Sequence, residues 1–228
     1  MLFKSFFSNS KGNLNLLRIG GDNYIIDAGI SIGRIRETLG LHTIKGCLIT
    51  HSHSDHSKAV KDLIARGKPC YMLKETAQEL DIKQSFLLKE IEYYKAFNIN
   101  PFSLILPVEA CHDVPCTNFV IFDIQTNDSL YFITDTSKID IQRSAFTHLA
   151  IEINYSEKTI SANVNKEVLK RTIKTHLSLE NALTFLKQLD KSKLREVHLL
   201  HLSAENSDSN YFVEEVRKVV NPMTKIFV

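Results

Sequence analysis

A chain of 228 residues, 43% of them hydrophobic, is long enough to bury a substantial core, and its size fits one large domain better than two small ones. The formal net charge of +2 does not mark the whole chain as a binder of long polyanions, although it leaves room for a local basic patch. Cys47, Cys70, Cys111 and Cys116 form no CxxC pair, which argues against a disulfide framework or a thiolate zinc site and favours a reducing cytoplasm. No run reaches membrane-spanning length. The N-terminal MLFKSFFSNSKGN carries Lys4 and Ser5 inside its apolar run and lacks a small-residue cleavage site, so secretion and membrane insertion are not expected.

No linker, charge block or low-complexity tract divides residues 1–228, and the chain reads as a single domain. LNLLRIG and YIIDAG, joined across Gly20-Gly21-Asp22-Asn23, predict a hairpin. A helix over Ile32 to Leu39, a buried strand GCLIT ending at Thr50 and a helix over Lys58 to Arg66, stopped by Gly67 and Pro69, follow. Cys70 to Leu73 reads as a strand and about Glu75 to Lys95 as helical. The β-branched and aromatic runs SLILPV, NFVIFDI, SLYFIT and HLAIEIN read as sheet strands. Ser178 to Asp190 sets Leu179, Leu183, Leu186 and Leu189 on one helical face, with Ser178 as N-cap. VHLLHLS predicts a strand ending in a loop, and a last helix from about Asp208 aligns Phe212, Val216 and Val219. The near-identical hexapeptides HLSLEN at His176 and HLSAEN at His201 thus differ in context: the first opens a helix, the second closes a strand.

HSHSDH places three histidines and an aspartate within six residues at the end of an apolar strand. His51 and His53 alternate on one face if they continue the strand, while Asp55 and His56 turn over the following helix, a spacing that can feed two metals. A histidine-rich surface loop explains this poorly. Further ligands are expected at strand ends, where loops build sites. His112 follows SLILPVEAC, Asp135 follows SLYFIT, and His201 ends VHLLH. One metal could take His51, His53 and His112 and the other Asp55, His56 and His201, with Asp135 bridging. Each late residue alone is better read as a satisfied or solvated side chain; together with HSHSDH the set reads as a metal site. His42, His148 and His198 read as structural, and Lys166, Lys170, Arg171 and Lys174 as a solvated basic helix face.

These motifs resemble the metallo-β-lactamase fold superfamily, whose HxHxDH signature HSHSDH matches and whose other ligands come in the order His112, Asp135, His201. SNSKGN, YIIDAG, LITHSHSDH, HDVPC, ITDT, IEINYS, HLSLEN and HLSAEN are similar to its small stand-alone branch, which includes YycJ-like proteins and phage-type, anti-Pycsar-like phosphodiesterases. Asn118 stands where relatives usually carry glycine, which puts the shape of that loop in question. The resemblance implies an α/β, four-layer αββα sandwich and two divalent ions. The imidazole and carboxylate donors suit Zn2+ or Mn2+ without deciding between them.

Asp55 could bind metal and orient the nucleophile, and Asp27 resembles the aspartate that holds a ligand histidine in the superfamily. Asp113, beside a ligand, is as well explained by a turn. His176, spare by ligand count, resembles the histidine that protonates the leaving oxygen in nuclease-like relatives. Helix N-terminal amides beside it would tend to hold its pKa down. The implied activity is hydrolysis of phosphodiester bonds of nucleotides, either at the ends of single-stranded nucleic acid or in cyclic nucleotides. The rivals are a hydrolase of another ester, thioester or lactam, and a metal-binding protein without turnover. The resemblance also allows a homodimer.

Overall fold

The protein's structure, a computed structural model, describes residues 1–139, 145–160 and 166–228. It falls into two compact units, one formed by Met1–Glu109 and Val114–Asn127, the other by Ala110–Asp113 and Asp128–Val228.

The first unit opens with an antiparallel meander of β1 (Leu2–Asn9), β2 (Gly12–Ile19) and β3 (Asp22–Ile26). Ile19 pairs with Asp22, which leaves Gly20 and Gly21 alone in the turn at φ 60° and 83°. Two consecutive positive φ values match the twist of flanking strands and favour glycine, so the predicted hairpin is met by a two-residue turn. β4 (Ile44–Leu48), β5 (Cys70–Leu73) and β6 (Leu88–Ile91) then add in parallel, in the order β1-β2-β3-β4-β5-β6. The crossovers carry α1 (Ile32–Leu39), α2 (Ser54–Ser57) with α3 (Val60–Ala65), and α4 (Lys74–Glu79). Ile25, Ile35, Ile44, Cys47, Leu63 and Met72 meet in one buried cluster. An antiparallel pair, β7 (Ser103–Glu109) and β8 (Thr117–Asp123), completes this unit.

Two expectations fail here. The stretch from Glu75 to Lys95 is not one helix: α4 ends at Glu79 with Leu80 as its C-cap, Asp81 turns to φ 48°, and Leu88–Ile91 pairs in parallel with Cys70–Leu73. Pairing with β5 outweighs the helical propensity of this segment. Asn118 lies inside β8, buried and paired with Val108, and needs no left-handed backbone. Its departure from glycine therefore changes no turn.

The second unit is built on four parallel strands, β9 (Asp128–Ile133), β10 (His148–Glu152), β11 (Glu196–Leu200) and β12 (Lys225–Phe227), in the order β12-β11-β10-β9. With them go α5 (Lys166–Thr175), α6 (Leu179–Gln188) and α7 (Ser209–Arg217). Ser178 caps α6 by accepting from Asn181 N–H, and Asp208 caps α7 by accepting from Tyr211 N–H. Leu179, Leu186 and Leu189 are buried as their spacing predicts, and Phe185 and Phe146 pack around the Tyr131 ring. The three-residue β12 is too short to stand out as a pattern in the sequence. Among the described residues no helix is long and apolar enough to cross a membrane. Among the described residues none of the four cysteines forms a disulfide.

His148 and His198 take the structural role expected of them. Both are buried; His148 packs near Glu196, and His198 contacts the same carboxylate while stacking on Phe227 at 4.6 Å. Burial lowers both pKa values below the ordinary imidazole value of 6.5, although Glu196 opposes the shift. Just below that value the unfolded chain therefore binds more protons than the folded one, and stability is lost as pH falls from 6.5 toward the folded pKa values. Melting curves of the chelated protein between about pH 8 and pH 5 should show Tm falling on the acid side. The double variant His148→Gln/His198→Gln should flatten that fall.

Candidate metal centre

In the first unit the end of β4 delivers the HSHSDH loop, and its order comes from residues far away in the chain. Asp27, fully buried at φ 64°, accepts from Thr50 N–H and Thr50 Oγ at 2.9 Å each, and its second oxygen lies 2.7 Å from His56 Nδ1. Because the Thr50 hydroxyl donates to Asp27, its oxygen is the acceptor for His51 Nδ1 at 3.0 Å. Both imidazoles thus spend the Nδ1 proton inside this unit and leave Nε2, buried, as the lone-pair nitrogen. Rings of His51 and His53 are 4.7 Å apart and those of His51 and His56 4.2 Å apart, and Asp55 Oδ2 lies 3.6 Å from His56 Nε2. The four predicted residues of this motif are brought together.

The DAG segment is the support. Ala28 N–H donates to His56 C=O, Ala59 N–H to Ala28 C=O, and Gly29 N–H to Asn13 C=O. A Cβ on Gly29 would sit 1.5 Å from the Asp55 carbonyl oxygen, so only glycine lets the backbones approach this closely. Gly29→Ala should push the loop outward and weaken metal binding about 10–100-fold, as loss of a ligand's support does, measured by competition with a chelating dye. Asn13, to which the sequence assigned no role, donates to the Asn9 and Asp55 carbonyls and lies 2.9 Å from His56 Nε2.

The second unit gathers His112, Asp135, His176 and His201 with a residue that sequence reasoning missed, Glu152. Ligand atoms of Asp135, Glu152, His176 and His201 all lie within 4.8 Å of one another. Glu152 is fully buried at the end of β10; Oε1 lies 2.6 Å from His176 Nδ1 and 3.0 Å from His201 Nδ1, and Oε2 accepts from Thr136 N–H at 3.1 Å. His201 Nδ1 is also 3.2 Å from Asp135 Oδ1. His112 Nδ1 donates to the Thr175 carbonyl at 3.0 Å, so Nε2 presents its lone pair toward Asp113 Oδ1 at 3.1 Å and Asp135 Oδ2 at 3.8 Å. A nitrogen lone pair facing carboxylate oxygens is an arrangement that a divalent cation reconciles. Asp135 and His201 have φ of 42° and 52°, left-handed values that non-glycine residues adopt mainly where the surroundings enforce them.

The two HLS segments are tied together by β10 and the residues after it. Asn154 N–H donates to Leu177 C=O, its side chain donates to His201 C=O, and Ser203 N–H donates to Asn154 C=O. His176 therefore joins the same cluster as His201 but stays one-fifth exposed, where His201 is buried. Burial alone would lower the His176 pKa; the Glu152 carboxylate outweighs it and raises the value above the ordinary one. Helix N-terminal amides do not decide its protonation, contrary to expectation, because a bonded carboxylate is the stronger influence. For Glu152, burial pushes the pKa up, but His176 and the hydrogen bond from His201 together reverse it and leave a carboxylate below its usual range. His112 is lowered by burial, against the pull of Asp135.

Glu152 and Asn13 sit in the motifs IEINYS and SNSKGN. The only local signal for Glu152 is a single acid in an apolar strand.

A family model for the beta-lactamase superfamily domain matches residues 22–199. Exodeoxyribonuclease YycJ of Bacillus anthracis is 23% identical over 228 residues, covering 90% of this chain and 83% of its own. Among solved structures, the metallo-beta-lactamase fold protein YhfI from Bacillus subtilis superposes with a TM-score of 0.76 at 16% identity, over 99% of this chain and 94% of that one. Igni18, a metallo hydrolase from the hyperthermophilic archaeon Ignicoccus hospitalis, gives 0.71 at 17% identity, over 99% and 94%. The expected metallo-β-lactamase fold is the fold of this chain, and divalent-metal binding goes with it. The chain belongs to the beta-lactamase superfamily domain family and is a hydrolase of the metallo-β-lactamase fold.

Proposed function

We propose that the protein is a dinuclear phosphodiesterase of nucleotides, in which both units serve one hydrolase domain. His51, His53, Asp55, His56, His112, Asp135 and His201 would hold two divalent ions, Zn2+ or Mn2+. When bound, such ions polarise a phosphoryl oxygen and make water nucleophilic near neutral pH. The donor set fits: His51, His56, His112 and His201 each commit Nδ1 to an acceptor of their own unit, which fixes the tautomer with Nε2 as ligand. Asp55 would orient the nucleophile.

The observation that carries the reading is His176. Its Nδ1 is held by a buried carboxylate, its pKa is raised, and its ring is partly exposed. That is a proton donor whose charged form the carboxylate favours and which stays within reach of solvent. A phosphodiester with an alkoxide leaving group needs such an acid: His176 would give the Nε2 proton to the departing oxygen and keep its Nδ1 proton, hydrogen-bonded to the Glu152 carboxylate.

Likeness to an exodeoxyribonuclease supports nucleic-acid ends as substrate; that the strand is single and the compartment the cytoplasm belongs to the same proposal. The test offers end-labelled single-stranded oligonucleotides and cyclic mononucleotides side by side to the Mn2+- or Zn2+-loaded protein, with His51→Ala as control. Shortened oligonucleotides support the nuclease reading. Opened cyclic nucleotides with intact oligonucleotides replace it with signal degradation, and inertness toward both and toward bis(p-nitrophenyl) phosphate overturns the phosphodiesterase reading.

A further inference from the structure

The second unit carries a cleft of about 440 Å³ lined by His112, Asp113, Lys170, Arg171, Lys174 and Thr175. Its volume lies within the range of small-ligand sites. One wall is the segment that bears His112; the other is a face of α5. Lys170 and Lys174 are one helical turn apart and so share that face. Arg171 is fixed across the opening, with Nε and Nη2 donating to Asp113 Oδ2 at 3.2 and 2.9 Å. Among the described residues, neither lysine has a carboxylate partner. Three of the four basic residues that read as a solvated helix face in the sequence, Lys170, Arg171 and Lys174, therefore line a cavity that opens beside His112.

We infer that this cleft is a phosphate subsite for the nucleotide neighbouring the scissile bond, so that the substrate is a single strand with at least two phosphates. The inference rests on the phosphodiesterase reading. A cyclic mononucleotide has one phosphate, which is the reacting one, and offers nothing to a second cluster of cations. A strand places its next phosphate a nucleotide away, where Lys170 and Lys174 can neutralise it and Asp113 keeps Arg171 in line with His112. The contact is to backbone, so it adds affinity without sequence preference.

The test measures binding apart from turnover. A labelled single-stranded phosphorothioate oligonucleotide, which resists hydrolysis, is titrated against the metal-loaded full chain over a range of KCl concentrations. Lys170→Ala/Lys174→Ala should reduce the slope of log K against log salt by about 0.7 for each lysine that meets a phosphate, so by about 0.7–1.4 in all. Lys187→Ala/Lys193→Ala removes the same charge at exposed positions outside the cleft and should leave the slope unchanged. A Lys170→Gln/Lys174→Gln pair repeats the test with long side chains retained. Equal slopes for the wild type and both cleft pairs, or the same loss from the distant pair, would overturn the subsite. Wild-type turnover of bis(p-nitrophenyl) phosphate, run in parallel, reports on the phosphodiesterase reading independently of these slopes.

Discussion

His176→Ala is expected to retain bound metal and to lose about 10²–10⁴ in turnover of an oligonucleotide. The imidazole is held through Nδ1 by Glu152 and packs beside the His112 and His201 rings, and Nε2 is the nitrogen proposed to meet substrate. The leaving group decides how much the loss matters. An alkoxide needs a proton as the bond breaks, whereas p-nitrophenolate departs with little help. Turnover of bis(p-nitrophenyl) phosphate should therefore fall much less than turnover of the oligonucleotide. Metal content, measured by atomic absorption, separates this role from ligation: loss of metal with the side chain would make His176 a ligand, which its place in the cluster with Asp135 and His201 makes a pointed test. Equal losses on both substrates would sink the acid role.

The second large effect belongs to Glu152. It is fully buried and answers two imidazoles and two backbone amides, so removing it strands buried donors. Glu152→Ala should cost about 3–5 kcal/mol of stability, the usual result of taking one partner from a buried charged pair, read from urea unfolding of the chelated protein. Glu152→Gln is the finer probe, because an amide oxygen can still accept from His176 Nδ1 but carries no charge. The carboxylate raises the His176 pKa. An acid works only while protonated, so activity falls as pH rises through that pKa. Without the charge the pKa drops and the alkaline limb of the pH–rate profile should move to lower pH. An unmoved limb would detach Glu152 from the protonation of His176.

How far the sequence reaches depends on whether a feature is local. HSHSDH after an apolar strand, Ser178 before α6, Gly20-Gly21 between two strands and the contrast between the HLS copies are all set within a few residues. Periodicity, capping and turn chemistry make them readable. The helical reading of residues 75–95 failed because β6 is a strand only by virtue of pairing with β5. The run NFVIFDI already made Asn118 a strand residue, as β8 shows, and only the family resemblance placed it in a loop.

The sequence by itself determined the metal-binding chemistry, since residue type fixes donor atoms, and it placed the α/β pattern that carries them. Only the tertiary structure decided which protons are spent where. Asp27 fixing His56 and Thr50, Glu152 holding His176 and His201 together, and Asp113 steering Arg171 all join residues remote in the chain. Tautomer and pKa follow from burial and from the nearest charge, and neither exists as a property of the chain until folding brings those groups together out of water.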